Sequence, residues 1–184
     1  MKKELYEMTL EELWHLFPIK LVQHQEEWKN WYFEEEKRLK SFLPHFDNVR
    51  INHIGSTAIN GIWAKPIIDI LVEIPLSLSM EEMKIALINN GYICMAEEKM
   101  RKDFNKGYTK EGFAERVFHL HLRYFDDNDE IYFKNYLNEF PTEARKYEEL
   151  KLSLWKKYEY NRDGYTNAKH DYVKRITDIA KHRY

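Results

Sequence analysis

His53 to Ile74 reads HIGSTAINGIWAKPIIDILVEI, and this stretch decides the fold. A Gly55-Ser56-Thr57 turn follows one short apolar run, and a lone aspartate stands inside the next. From Ile67 to Ile74 the alternation is that of a strand. Ile68, Ile70, Val72 and Ile74 face one side, and Ile67, Asp69, Leu71 and Glu73 face the other. Pro75 stops it. A carboxylate inside an otherwise apolar strand is costly to bury without a partner. Asp69 is therefore either a ligand of something cationic or half of an ion pair, with Lys65, Arg116 and Arg123 as the candidate partners.

Outward from this stretch, a strand is expected at about residues 49–54, before the turn. Thr9 with Glu12 makes a capping box for a short first helix. A longer helix is expected from Val22 to Leu43, carrying Trp28, Trp31, Tyr32, Leu39, Phe42 and Leu43 at helical spacing and ended by Pro44. Ser79 and Glu82 start another helix, which Gly91 closes. Tyr92–Met95 reads as a short strand, and Arg101–Thr109 as an edge strand turning at Gly107. Val117–Phe125 is a firmer strand, with Val117, His119, His121 and Arg123 on one face. The Asp126–Asp129 cluster supplies a turn and the N-cap of a helix over 130–139. Further helices are expected over 141–160 and 165–181. The order predicts one α+β domain: N-terminal helices over 1–44, a mixed-sheet core over 48–125 and a helical C-terminal third over 129–184.

The bulk numbers restrict function more than they suggest it. The chain has 184 residues, 29 basic and 31 acidic, for a net charge of −2, so no global field favours nucleic acid or an anionic membrane. An anionic ligand must be caught by local groups. Cys94 is the only cysteine, which excludes an intramolecular disulfide and agrees with a reducing compartment. The N-terminal MKKELYEMTLEELWHL lacks the apolar core of a signal peptide, and no apolar run approaches the ~20 residues needed to cross a bilayer. A cytoplasmic protein is expected.

The residues that can carry chemistry lie near the turn and the two polar strand faces. Backbone amides at Gly55-Ser56, with the Ser56 and Thr57 hydroxyls, suit phosphate oxygens, but the same residues also make an ordinary strand-to-helix turn. His119 and His121 emerge on one strand face, where they can share a metal or bind phosphate, or simply face solvent. His53 is a further candidate for the same pocket. Lys65 and Arg116 are cationic groups suited to phosphate, or else solvated strand-end residues. Trp28, Trp31 and Tyr32 read as helix core, and Glu34-Glu35-Glu36 as a solvated face.

At these residues the chain resembles the GrpB family of the nucleotidyltransferase superfamily. The resemblance is carried by His53-Ile54-Gly55-Ser56-Thr57-Ala58, Gly61 and Ala64-Lys65-Pro66-Ile67-Ile68-Asp69-Ile70, then by Arg116 with His119-Leu120-His121. It continues through Phe133, Tyr136-Leu137, Pro141, Ala144, Tyr147 and Leu150-Lys151 to Asp163, Tyr165, Ala168-Lys169 and Val173. It implies a polymerase-β-like nucleotidyltransferase fold with a Gly-Ser turn over a nucleotide. Active members of the superfamily place two carboxylates, one residue apart, on the following strand as ligands of a divalent metal. A third carboxylate comes from a later strand. Asp69 matches the first of these, but Leu71 occupies the second, and His119 and His121 stand where the third is expected.

The resemblance thus implies phosphate or nucleotide binding by His53, Gly55, Ser56, Thr57, Lys65, Arg116 and Lys169. It also implies Asp69, His119 and His121 as catalytic or metal-binding groups, with Glu73 a weaker metal candidate. Mg²⁺, Mn²⁺ and Zn²⁺ are the expected cations, and a nucleotide or other phosphorylated small molecule the expected partner. Leu71 leaves open a binding or regulatory module without turnover. The ring-rich helical third (Tyr136, Tyr147, Trp155, Tyr158, Tyr160) leaves open an interaction role.

Overall fold

The alternating stretch forms strand β2 (Ile68–Ile74) in the computed structural model, which describes residues 3–184. Among those residues five strands make one mixed sheet in the order β1-β2-β5-β4-β3. The others are β1 (Arg50–Ile54), β3 (Ile93–Glu97), β4 (Arg101–Thr109) and β5 (Gly112–Tyr124). β2 runs antiparallel to β1 and parallel to β5, with α3 (Met80–Asn89), β3 and β4 in the chain between them.

The aliphatic face of β2 explains one half of the packing. Ile68, Ile70, Val72 and Ile74 join Phe104 of β4 and Phe118, Leu120 and Leu122 of β5. This layer packs against Trp28, Tyr32 and Leu39 of α2 (Glu27–Phe42) and Met83 and Leu87 of α3. Full burial of a large apolar side chain contributes about 1.5–3 kcal/mol, so this layer dominates the stability of the sheet.

The other face is covered by the C-terminal helices α4 (Asp129–Glu139), α5 (Pro141–Trp155) and α6 (Arg162–Arg183). They build a smaller core from Phe133, Leu137, Ala144, Tyr147 and Ile176, closed by Ile59 and Ile62 of the segment that leads into β2. Asn138 ties that segment down through both its amide atoms, accepting from Asn60 N and donating to Ala58 O at 2.9 Å each. Glu148 accepts from Trp63 N at 2.6 Å. The polar face of β2 and β5 is thereby enclosed between sheet and helices.

The α+β class, the mixed sheet and the helical C-terminal third agree with the sequence reading, and several boundaries do not. The Thr9–Glu12 capping box starts α1 (Leu10–Leu16) as expected. α2 begins at Glu27 rather than Val22, because Val22 exchanges backbone hydrogen bonds with Ala64. β4 is an interior strand, not an edge. Gly107 (φ 90°) is a bulge, where a β-carbon would stand 2.3 Å from Arg116 O, and the chain reverses after Thr109. Asn128 caps no amide of α4; its side chain donates to Glu73 Oε1 at 3.1 Å. α5 ends at Trp155. No helix among the described residues is long and apolar enough to cross a membrane.

Candidate functional site

The parallel register of β2 and β5 sets Asp69 beside His119 and Leu71 beside His121, while β4 sets Asp103 opposite His121. His119 Nδ1 stands 3.3 Å from Asp69 Oδ1, and His121 Nε2 3.9 Å from the same oxygen. His121 Nδ1 donates to Asp103 Oδ1 at 2.9 Å, and Arg123 Nη2 donates to that oxygen at 2.6 Å. Burial pushes Asp69 upward, but the two imidazoles beside it win and hold its carboxyl well below the usual range. Burial pulls His121 down, yet its position between two carboxylates raises it to about 9. His121 is thus an imidazolium linking Asp69 to the Asp103–Arg123 pair. The ion-pair partners expected for Asp69 were Lys65, Arg116 and Arg123; the His121 imidazolium takes that place, with His119 beside it.

His119 is different. Burial lowers it, against the pull of Asp69. Its Nε2 lies 2.7 Å from Tyr108 Oη, which accepts from Arg162 Nη2 at 2.8 Å. With the phenol donating to Nε2, the neutral ring carries its proton on Nδ1, toward Asp69.

Gly55 closes over this group from the end of β1. At φ 70° its backbone passes so near the carboxylate that a β-carbon would stand 2.1 Å from Asp69 Oδ2. Ser56 opens a single 3-10 turn, Ser56–Ala58, too short to carry a helix dipole, so positive potential must come from side chains. Thr57 and His53, expected to bind phosphate, do not reach the site. The buried Thr57 hydroxyl donates to Ile67 O at 3.2 Å and meets His53 Nε2 at 3.0 Å. His53 opposes Ile70, not Asp69, so strand alternation turns it to the α2 side. There it stacks on Tyr32 at 4.8 Å, and burial lowers it to about 4.

The positive potential comes from three lysines. Lys65, Lys151 and Lys169 line a chamber of about 190 Å³ with Ser56, Asp69 and Tyr165. Burial, then repulsion by Lys169 and Arg162, lowers Lys65 to about 7. Burial and Lys169 do the same to Lys151, at about 7, and burial brings Lys169 to about 8. Lys151 donates to Trp63 O, while among the described residues Lys65 and Lys169 have no hydrogen-bond or ion-pair partner. The buried Tyr165 hydroxyl has none either. Gly55, Asp69, Phe133 and Tyr147 separate this chamber from a cleft of about 440 Å³, also lined by His121, His170 and Lys174.

Arg116 is absent from both linings, which corrects the sequence reading. One step of alternation from Val117 puts it on the opposite sheet face, where it pairs with Glu34 and lies 5.7 Å over the Trp31 ring. Glu73 is buried, receives Asn128 and Asn52 at 3.1 and 3.4 Å, and lines neither the chamber nor the cleft. Residues that sequence reasoning did not assign to the site are Asp103, Tyr108, Tyr147, Lys151, Arg162 and Tyr165. A signal for four of the chamber residues was present: Tyr147-x3-Lys151 and Tyr165-x3-Lys169 repeat one helical spacing. Each ammonium lies over its tyrosine ring, at 4.7 and 4.3 Å.

The donor set does not fit the Mg²⁺, Mn²⁺ or Zn²⁺ expected from the sequence. Leu71, at the second carboxylate position, is fully buried and offers no oxygen. The nitrogens of His119 and His121 are turned to protein partners, Tyr108 and Asp69 for the first and Asp103 and Asp69 for the second. Among the described residues no group of three or more His, Cys, Asp or Glu side chains could hold a metal ion.

Known proteins agree with this arrangement at the level of fold and family. The family model described as GrpB protein matches residues 18–178. The Glutamate-rich protein GrpB of Alkalihalophilus pseudofirmus is 34% identical over 163 residues, covering 85% of this chain and 92% of that protein. The UPF0157 protein YqkA of Bacillus subtilis is 31% identical over 179 residues, and there the match spans only 50% of the relative's length. The crystal structure of the conserved protein GrpB from Enterococcus faecalis superposes with a TM-score of 0.76 at 30% identity, over 90% of this chain and 99% of that one. A Cid1 poly(U) polymerase mutant bound to MgATP superposes at 0.50 and 11% identity, over 71% of this chain and 42% of that one, a likeness of fold alone. The fold is that of the polymerase-β-like nucleotidyltransferases, and the chain belongs to the GrpB family.

Proposed function

We propose that this chain binds a phosphorylated small molecule, with nucleotides as the first class to test. The observation that carries this reading is the chamber itself: Lys65, Lys169 and Tyr165 line it with Gly55 and Ser56, and among the described residues neither ammonium has a hydrogen-bond or ion-pair partner and the Tyr165 hydroxyl has no hydrogen bond. Ser56 and Tyr165 would orient phosphate oxygens, and the lysines would neutralise them. A chamber of about 190 Å³ takes phosphate groups but no nucleoside, which would extend into the adjoining cleft of about 440 Å³. Titration calorimetry of wild type against ATP, GTP, CTP and UTP tests this. Heats that Lys65→Met and Lys169→Met abolish support it. No binding by wild type, or undiminished binding by both variants, sinks it.

Two chemical readings of such a site differ in whether it turns its ligand over. Phosphoryl or nucleotidyl transfer can proceed by positioning and charge neutralisation alone. The buried Leu71 and a carboxylate as weakly basic as Asp69 favour a module that binds without turnover. Nucleotide-dependent product formation that Asp69→Asn abolishes would remove the non-catalytic reading.

A further inference from the structure

We infer that the ligand of the lysine chamber is a metal-free phosphate or diphosphate group, and that Tyr165 is one of its ligands. This inference rests on the binding site proposed above and adds the charge state of what enters it. The chamber lining offers three lysines against one carboxylate, Asp69. That carboxylate is already occupied by His119 and His121, the latter leaning on Asp103. A phosphate that arrived with a divalent cation would bring positive charge into a positively charged enclosure. The cation would find no oxygen ligand at Leu71, and it would cover the phosphate oxygens that Lys65 and Lys169 need.

A free oxyanion meets the opposite situation. It supplies the acceptors that two unpaired ammonium groups and one unpaired phenol lack. A buried hydroxyl without a partner costs stability, so Tyr165 at 1% exposure is either a defect or a ligand waiting for its acceptor. Its ring lines the same enclosure, with Lys65 and Lys169 over it at 5.7 and 4.3 Å, and the second is the role inferred for its hydroxyl. Tyr165 also anchors Lys169 one helical turn along α6, with the ammonium 4.3 Å over the ring.

The probe is inorganic diphosphate, titrated calorimetrically into the full chain in EDTA and again with Mg²⁺ in excess over diphosphate. Binding in EDTA that Mg²⁺ weakens is the expected result. Binding that is unchanged or strengthened by Mg²⁺ overturns the inference while leaving a phosphate site in place. No heat in either condition removes the phosphate site and this inference with it. In EDTA, Tyr165→Phe should weaken diphosphate about tenfold, the worth of one hydrogen bond to a charged group. Its thermal midpoint should not fall, because the deleted hydroxyl has no partner in the unliganded protein. Diphosphate affinity equal to wild type in Tyr165→Phe overturns the role given to the phenol.

Discussion

Gly55 and Asp69 approach so closely that a β-carbon on the glycine would stand 2.1 Å from Oδ2 of the aspartate. The turn and the carboxylate, 14 positions apart in the chain, therefore form one rigid unit. Gly55→Ala adds both a steric clash and a left-handed backbone (φ 70°) that alanine resists. The expected loss is about 3 kcal/mol or more. Gly91→Ala is the matched control: φ is 88° but nothing lies within 4 Å of its added carbon, so the loss should be only ~1 kcal/mol. Urea denaturation of the two variants measures the difference; equal losses would mean the Gly55–Asp69 approach is unimportant.

The histidines should titrate far apart. His121, between Asp69 and Asp103, is raised to about 9, and His53, buried against Tyr32, is lowered to about 4. Nitrogen-detected NMR of the imidazoles should place their midpoints on opposite sides of pH 6.5. Asp103→Asn should lower the His121 midpoint by about one unit or more. A His121 midpoint at or below 6.5 in wild type would break the proposed charge chain.

Stability carries the same signature with a definite sign. A folded pKa raised above the unfolded value gives His121 a stabilising contribution that is complete below pH 6.5 and lost as pH rises through about 9. Lys65, Lys151 and Lys169 are lowered from 10.5 to about 7, 7 and 8, so their cost to the folded state is relieved as pH rises across the same range. The two effects oppose each other in wild type. The difference in unfolding free energy between wild type and His121→Gln isolates the first, and should shrink from pH 6 to pH 9.5.

Binding of an oxyanion to lysines with such lowered values should take up protons. At pH 7.5 part of the lysine population is neutral, and an anion favours the charged form. Calorimetry of diphosphate binding in buffers of different ionisation enthalpy should show net proton uptake, and affinity should fall as pH is raised from 7 to 9.5. Proton release on binding would contradict this electrostatic picture.

Arg116→Ala should leave ligand binding unchanged, since its guanidinium pairs with Glu34 on the far face of the sheet. Stability should change by less than about 1 kcal/mol, as for an exposed ion pair. A large drop in nucleotide affinity would return Arg116 to the site.

Much of this was legible in the sequence because it is local. The strand period of two placed Asp69 and His119/His121 on their faces, and the β2–β5 pairing then needed only the register. β4 was misjudged as an edge because charged residues (Arg101, Lys102, Asp103, Lys106) disguise an interior strand. Lys102 and Asp103 owe their places to partners on Glu97, His121 and Arg123, which composition does not reveal. His53 and Arg116 were assigned by nearness in sequence, although each lies one step of alternation from the polar face.

The sequence by itself determined the α+β order, the Gly-Ser turn, the solitary Asp69 and the absence of a second carboxylate at Leu71, since period, glycine and residue chemistry act within a few positions. Only the tertiary structure decided what surrounds Asp69. Lys151, Tyr165 and Lys169 come from helices more than 80 positions away, and packing of α5 and α6 over the polar face brings them in. Whether a buried charge meets a metal, an ion pair or an open chamber depends on those distant neighbours, because burial and Coulomb forces act through space rather than along the chain.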